Sequence, residues 1–158
     1  MNYKEYEYSF EVNDLKPIID FCINNNYTYE GENQQTRVIY KDKNKKFMFR
    51  TTENNNNGVI SKQFDFKENK LEPGQILGER QETLEINYDN SEQVESIVAF
   101  FGMHKESVLI RKRMVYVSEN VKFELDEYTS PRHGLVVGIE GQKGEVDKIF
   151  QQLKQYRI

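Results

Sequence analysis

Residues 3–12 read Tyr-Lys-Glu-Tyr-Glu-Tyr-Ser-Phe-Glu-Val, and from Glu5 onward every second residue is aromatic or aliphatic. Because successive side chains of a β-strand point to opposite faces, this alternation predicts a strand that is buried on one side. The glutamates then share the opposite, polar face. The apolar face would consist of Tyr6, Tyr8, Phe10 and Val12.

The rest of the chain is predicted to alternate between strands and helices. Period-two patterns predict further strands at 36–41, 45–52, 59–66, 78–88, 107–117, 120–128 and 135–140. Helical spacing predicts helices at 13–24, 91–101 and 144–154. No repeat or linker interrupts the pattern, so we expect one domain over residues 1–158. We expect an α+β fold in which eight mostly antiparallel strands close into a β-barrel, with about three flanking helices.

Composition excludes several classes of protein. The 158 residues include 26 acidic and 22 basic side chains, for a formal net charge of −4, which argues against nonspecific nucleic-acid binding. The single cysteine, Cys22, excludes an intramolecular disulfide and a cysteine-based zinc site. No apolar run approaches the ~20 residues of a membrane span, and residues 1–10 lack the apolar segment of a signal peptide. We therefore expect a cytoplasmic protein without a membrane or DNA partner, and a homodimer is left open.

Charged residues recur at every second position of several predicted strands, so each set lies on one face of its strand. For any single strand, a solvated outer face explains such a pattern. If the strands close into a barrel with their apolar faces against the helices, these side chains line the interior. A mixture of carboxylates with arginine and lysine suits a polyanion bound together with Mg²⁺ or Mn²⁺. The sets are Glu5 with Glu7, Arg80 with Glu82, Arg111 with Arg113, Lys122 with Glu124 and Asp126, and Gly138 with Glu140.

Several of these strands resemble the motifs of one enzyme family. Glu5-Tyr6-Glu7-Tyr8-Ser9 resembles the ExExK opening strand of the CYTH family, also called triphosphate tunnel metalloenzymes. Arg111-Lys112-Arg113-Met114-Val115-Tyr116 is similar to the K/R-x-R-x-x-Y strand of that family. Weaker similarities follow the same order along the chain: Phe47–Arg50 to L-R-x-R, Lys62 to T-x-K, Arg80–Glu82 to R-x-E, Phe123–Asp126 to the LD strand, and Gly138–Glu140 to the closing E-x-E.

The resemblance implies a tunnel of eight antiparallel strands that holds a triphosphate on basic residues and one or two divalent cations, Mg²⁺ or Mn²⁺, on carboxylates. The implied phosphate-binding residues are Arg50, Lys62, Arg80, Arg111 and Arg113. The implied metal ligands are Glu5, Glu7 and Glu140, with Asp126 as a further ligand or as a carboxylate that orients one. The implied catalytic residues are Glu82 and Arg80, with Glu82 orienting Arg80 or a metal-bound water.

Three positions depart from the family pattern. Ser9 replaces the lysine of ExExK, Met48 replaces the first arginine of L-R-x-R, and Gly138 replaces the first glutamate of the closing E-x-E. In the triphosphatases of the family, the ExExK lysine is tied to water activation or to substrate position. Its absence argues against ordinary triphosphatase turnover and favours a binding function.

The leading functional hypothesis is a metal-dependent phosphohydrolase acting on inorganic triphosphate, thiamine triphosphate or a nucleoside triphosphate. One alternative is an adenylyl cyclase of the same tunnel type, although the His-Phe pair that often precedes ExExK in the cyclases is absent before Glu5. An RNA 5′-triphosphatase is another, and a nucleotide- or polyphosphate-binding module with little turnover is a third. Outside the family, a lipid-binding barrel would need an apolar interior and outward-pointing arginines.

Overall fold

A computed structural model of the protein describes residues 4–44, 47–68, 77–81 and 86–158, and within strands it leaves the side chains of 4–5, 67–68 and 77–81 undescribed. The strands are β1 Lys4–Val12, β2 Thr28–Lys41, β3 Phe47–Asn56, β4 Val59–Glu68, β5 Leu77–Gln81, β6 Ile86–Asn87, β7 His104–Val117, β8 Val121–Ser130 and β9 Gly134–Gly141. The helices are α1 Lys16–Asn24, α2 Ser91–Phe100 and α3 Lys143–Leu153, and a 3₁₀ turn follows at Lys154–Tyr156. Within the described ranges, no helix has the length and apolar character needed to cross a bilayer.

All of the strands belong to one antiparallel sheet with the spatial order β5-β1-β9-β8-β7-β2-β3-β4-β6. The predicted hairpin between the second and third strands is confirmed, with Lys41 opposite Met48. The second strand begins at Thr28 rather than at residue 36. This extension places eight further residues beside β7, the strand that carries Arg111 and Arg113.

The predicted closed barrel of eight strands is wrong for the described part of the chain, where the sheet is open and has nine strands. Of the predicted strand at 78–88, the structure describes two parts, β5 and β6, and residues 82–85 between them lie outside the described ranges. In the described residues, β5 pairs with β1 at one end of the sheet and β6 pairs with β4 at the other. Closure of the sheet would need the chain from β5 to β6 to pair with β1 on one side and with β4 on the other. In the described residues, β6 contributes only two residues to its pairing with β4.

The main core lies between the sheet and two helices, α1 and α3. Phe123, Val137 and Ile139 are fully buried there, as the alternation of β8 and β9 predicted. Tyr8 of β1 stacks on Phe150 of α3 with ring centroids 3.9 Å apart, so aromatic side chains fill the layer between strand and helix. Large aromatic rings bury much apolar area each, which explains how a chain with few aliphatic residues forms this core.

A smaller core lies beneath α2. Phe49 of β3 packs there with Val94 and Val98 of the helix. Asn90 caps the helix as predicted, because its side-chain oxygen accepts hydrogen bonds from the backbone N–H groups of Glu92 and Gln93. The helices thus cover one face of the sheet, and the charged side chains are left on the other.

One glycine fixes the junction between β9 and α3. Gly141 has a φ of +144°, and a Cβ at this position would lie 2.1 Å from the backbone oxygen of Asn120. That oxygen accepts a hydrogen bond from Gln142, the residue that precedes α3. The close approach therefore excludes any larger residue.

We expect Gly141→Ala to lower the free energy of unfolding by about 2 kcal/mol or more, since backbone strain and a steric clash both act against the folded state. Gly134→Ala is the matched control, because a Cβ there meets no atom within 4 Å. It should change stability by less than about 1 kcal/mol. Urea unfolding followed by circular dichroism measures both values, and equal stabilities of the two variants would contradict this account of the junction.

Candidate functional site

The charged side chains gather on the face of the sheet opposite the helices. The pairing register places Arg113 of β7 directly across from Asp126 of β8, and Arg111 across from Tyr128. The exposed fractions of Arg111 and Asp126 are only 3% each, so these are buried charges and not a solvated surface. Buried charges persist only when they are paired and hydrogen-bonded, and this pairing is the feature that organises the site.

Asp126 accepts hydrogen bonds from two arginines at once. Its Oδ1 accepts from Nε of Arg113 at 2.7 Å, and its Oδ2 accepts from Nη2 of Arg113 at 2.7 Å and from Nη1 of Arg111 at 2.9 Å. Both carboxylate oxygens are therefore committed to guanidinium groups. Asp126 thus orients two arginines, whereas the family resemblance implied a metal ligand or a carboxylate that orients one.

A second ion-pair group begins at Glu124, two residues earlier on β8. Glu124 contacts Arg113 on one side and Lys122 on the other, where the Nζ–Oε1 distance is 3.0 Å. Lys122 also reaches Glu140 of β9 at 3.1 Å. The ammonium of Lys122 thus bridges two glutamates that come from neighbouring strands. Glu124 shares a face with Asp126 in the sequence pattern and lies in the segment that resembles the LD strand, but the resemblance assigned it no role.

The pKa values of the two glutamates are shifted in opposite directions. Although burial opposes ionisation, the positive charges of Arg113 and Lys122 hold the pKa of Glu124 at about 2. Burial, together with the negative charges of Glu124 and Glu7, raises the pKa of Glu140 above its usual range. The crowding of negative charge around Glu140 is therefore only partly relieved by Lys122.

Gly138 opens space at the centre of this group. It stands across from Glu124 on β8 and from Ser9 on β1. A Cβ added at Gly138 would lie 3.6 Å from Cβ of Glu124 and 3.9 Å from Oε1 of Glu7. Glu7 itself stands opposite Glu140. Glu7, Glu124 and Glu140 consequently border the same small region.

Further arginines lie on β2 and β3. Arg50 forms a buried bidentate pair with Asp65 of β4, with distances of 2.7 and 2.8 Å. Arg37 of β2 donates from Nε to Oγ1 of Thr52 at 3.0 Å. The motif analysis did not identify Arg37, and no family motif could have done so. The only sequence signal is that it has the same strand parity as the polar residues Asn33 and Gln35.

The face therefore has two electrostatic halves within the described residues. On β2, β3, β4, β7 and β8, four guanidinium groups face two carboxylates; these are Arg37, Arg50, Arg111 and Arg113, with Asp65 and Asp126. On β8, β9 and β1, three carboxylates face one ammonium group; these are Glu7, Glu124 and Glu140, with Lys122. Such an arrangement can hold an anion on one half and a cation on the other. It leaves no apolar interior for the lipid-binding alternative.

Of the remaining predicted site residues, one lies on the other face of the sheet and three fall wholly or partly outside the described part of the structure. Lys62 lies on the helix-covered face, where it contacts Ser91 of α2 at 3.2 Å and Glu53 at 3.9 Å. Glu5 and Arg80 stand opposite each other in the β1–β5 pairing, but their side chains are outside the described part of the structure. Glu82 lies outside the described residues altogether.

The acidic half has the donor chemistry for a divalent cation. Carboxylate oxygens are the ligands that Mg²⁺ and Mn²⁺ prefer. Burial, together with the negative charges of Glu124 and Glu7, raises the pKa of Glu140 there. Within the described ranges, no three acidic, histidine or cysteine side chains already converge as a ligand set. The residues that fit a cation are Glu7, Glu124 and Glu140, whereas Asp126 is occupied by its two arginines.

Comparison with known proteins shows what shares this architecture. No protein-family model and no curated protein matches the sequence. Among solved structures, a candidate adenylate cyclase from Vibrio parahaemolyticus has a TM-score of 0.66 at 12% identity, covering 97% of this chain and 86% of that chain. A candidate adenylyl cyclase from Hippeastrum with a dominant triphosphatase activity has a TM-score of 0.59 at 14% identity, covering 96% and 87%. A chain of the Schizosaccharomyces pombe Mediator head module has a TM-score of 0.67 at 11% identity, covering 99% and 97%.

Likeness at these identities concerns the fold, and one of the three structures belongs to a head module of Mediator rather than to a candidate cyclase. The chain has the fold of the candidate adenylate cyclases. The antiparallel sheet that the CYTH resemblance implied is confirmed, as are the three helices, whereas closure of the sheet into an eight-stranded tunnel is not confirmed within the described residues.

Proposed function

We propose that the chain is a metal-dependent phosphohydrolase of the CYTH type that acts on a triphosphate-bearing small molecule. The observation that carries the proposal is the division of the polar face into a cationic half and an acidic half. A triphosphate chelated by a divalent cation presents both charges together, and it would neutralise both halves at once. The adenylate cyclase and triphosphatase names of the structural neighbours support the same class of substrate.

The arginines would bind and position the phosphates. Phosphoryl transfer depends mainly on positioning and on neutralising the phosphate oxygens, so it needs no nucleophilic side chain. Arg113 is well suited to this task, because the carboxylates of Glu124 and Asp126 outweigh the effect of burial, raise its pKa and fix its orientation. Arg50 is fixed in the same way by Asp65. These side chains stay charged and pre-oriented before the substrate arrives.

The acidic half would hold the cation. Glu7, Glu124 and Glu140 would bind Mg²⁺ or Mn²⁺, which supplies further neutralisation of the phosphate oxygens. In the hydrolytic step, water attacks the terminal phosphorus and the bond to the leaving diphosphate oxygen breaks, giving phosphate and diphosphate. Glu82 and Arg80 remain the proposed catalytic pair, with Glu82 orienting Arg80 or the attacking water. Glu5 remains a proposed metal ligand.

Two other functions have specific support. The candidate cyclases among the structural neighbours favour an adenylyl cyclase, in which the 3′-hydroxyl of ATP attacks the α-phosphorus. Ser9, Met48 and Gly138 favour a polyphosphate-binding module with little turnover, since each replaces a charge of the family pattern. The hydrolase accounts for the cation-favouring half as well as for the arginines, so it is preferred.

We expect Mn²⁺-dependent release of phosphate from tripolyphosphate, thiamine triphosphate or ATP. Arg111→Gln should lower kcat/KM by about 100-fold or more, because it removes a preorganised charge from the phosphate site. Lys112→Gln is the matched control: Lys112 is the next residue, lies on the other face, and pairs with Glu127 at 3.3 Å and Glu32 at 4.0 Å. Circular dichroism confirms that each variant is folded. Wild-type protein that is folded but releases no phosphate from any of the three substrates would refute the hydrolase.

The products formed from ATP separate the enzymatic alternatives. A triphosphatase should yield ADP and orthophosphate, whereas a cyclase yields cyclic AMP and diphosphate. Chromatography of the same reaction mixture identifies both. Cyclic AMP as the main product would replace the hydrolase by the cyclase.

The metal dependence tests the acidic half separately. Glu140→Gln should raise the Mn²⁺ concentration needed for half-saturation by about tenfold or more, since it removes an anionic oxygen ligand. Mn²⁺ binding is followed by electron paramagnetic resonance without substrate. Glu127→Gln is the control, because Glu127 lies on the opposite face of β8 and pairs with Lys112. Equal Mn²⁺ affinities of the two variants would remove Glu140 from the proposed ligand set.

A further inference from the structure

Arg37 lacks a counterion within the described residues. Its one hydrogen bond goes to the hydroxyl of Thr52, and it forms no ion pair there. Burial, reinforced by the positive charges of Arg50, Arg111 and Arg113, lowers the pKa of Arg37 to about 9. At neutral pH the side chain still carries its charge. A guanidinium placed among three others is costly for stability unless an anion joins them.

Arg111 has an unpaired donor on the same face. Its Nε donates to Oε1 of Gln35 at 2.7 Å, and its Nη1 donates to Asp126 and to the hydroxyl of Tyr128. Its Nη2 is buried and has no hydrogen-bond partner among the described residues. A buried N–H without a partner costs about 1–3 kcal/mol, and more on a charged group. The side chain is nevertheless held in this orientation.

A chain of amide side chains maintains that orientation. Gln35 of β2 accepts from Arg111 and donates from Nε2 to Oδ1 of Asn54 at 2.8 Å. Nδ2 of Asn54 on β3 in turn donates to Oε1 of Gln63 on β4 at 3.4 Å. The chain links Arg111 through three neighbouring strands. The unpaired Nη2 is therefore fixed by the surrounding structure and is not free to turn elsewhere.

Arg37 and the Arg111 side chain with the unpaired Nη2 lie on neighbouring strands. Gln35 stands directly opposite Arg111 in the β2–β7 pairing, and Arg37 is two residues further along β2 on the same face. Arg37 and Arg111 are thus diagonal neighbours, with Cβ atoms about 7–8 Å apart in such a pairing. Guanidinium groups at that spacing can donate to different oxygens of one tetrahedral phosphate.

We propose that Arg37 and Nη2 of Arg111 form a receptor for one phosphate group of the substrate, and that this receptor binds its anion without a divalent cation. The inference rests on the proposed function for the identity of the ligand, and it adds a binding residue that lies outside every family motif. The anion would supply both missing partners, an acceptor for Nη2 and a counterion for Arg37. The acidic half lies on other strands and would not be needed for this first contact.

Calorimetric titration with tripolyphosphate in EDTA tests the receptor. Wild-type protein should bind, Arg37→Met should bind about tenfold or more weakly, and Arg37→Lys should recover part of the loss, because lysine keeps the charge without the planar donor pair. Lys112→Met removes one positive charge from the other face and should bind like wild type. Equal affinity of Arg37→Met and wild type would overturn the proposal, and so would wild-type binding that requires Mn²⁺.

Thermal unfolding provides a readout that is independent of turnover. Without anion, Arg37→Met should unfold at the same or a higher temperature than wild type, since it removes a partly buried charge that has no ion-pair partner among the described residues but keeps an apolar stem. Added tripolyphosphate should raise the unfolding temperature of wild type and of Lys112→Met but not of Arg37→Met. Equal anion-induced shifts in Arg37→Met and wild type would also overturn the receptor. If tripolyphosphate binding depends on Arg37 but the protein releases no phosphate from any substrate, the hydrolase is refuted and the phosphate receptor stands. If the protein releases phosphate but substitution of Arg37 does not weaken binding, the receptor is refuted and the hydrolase stands.

Discussion

The shared carboxylate of Asp126 is the interaction on which the polar face depends. Two guanidinium groups converge on it from one neighbouring strand, and its exposed fraction is 3%. Charges buried to this degree are strongly unfavourable unless each has a partner. Loss of Asp126 would leave Arg111 without its ion-pair partner and Arg113 with Glu124 alone among the described residues. The β7–β8 register, which puts Arg113 directly across from Asp126, is therefore as much a requirement of electrostatics as of backbone pairing.

The same register has a consequence on the other side of the sheet. Because side chains alternate along a strand, the residues between the charged ones must be apolar or solvated. On β8 they are Phe123 and Leu125, which are fully buried beneath the helices. A slip of one residue would place these two apolar side chains among the arginines, and it would place the charged side chains in the apolar core. The positions of the apolar side chains on one face and of the charged side chains on the other thus require the same strand register. A chain that is 30% charged can therefore fold around an apolar core.

The alternation in the sequence was enough to predict which charges share a face on β7 and β8. The family resemblance predicted the antiparallel sheet but also a closed barrel, which the described residues do not form. Neither the alternation nor the resemblance placed every site residue correctly. Lys62 matches a motif, but it alternates with Gln63 and Asp65, and Asp65 pairs with Arg50, so Lys62 is directed to the helix-covered face. Arg37 could not be found by either route, because its importance lies in a missing counterion. That absence becomes visible only when the neighbouring strands are in place.

The departures from the family pattern also change meaning once the strands are paired. Ser9 and Gly138 stand directly opposite each other on β1 and β9, so a lysine and a glutamate at these positions would have been cross-strand partners. Their joint replacement removes one charge of each sign and leaves the balance of the face unchanged. Glu124, across from Gly138 on the next strand, borders the space that a larger side chain would fill. Arg37 is a cation on this face at a different place from Met48, since it stands opposite Thr52 whereas Met48 stands opposite Lys41. The charges of this face are therefore placed differently from those of the family pattern, although the two replacements at Ser9 and Gly138 cancel in sign.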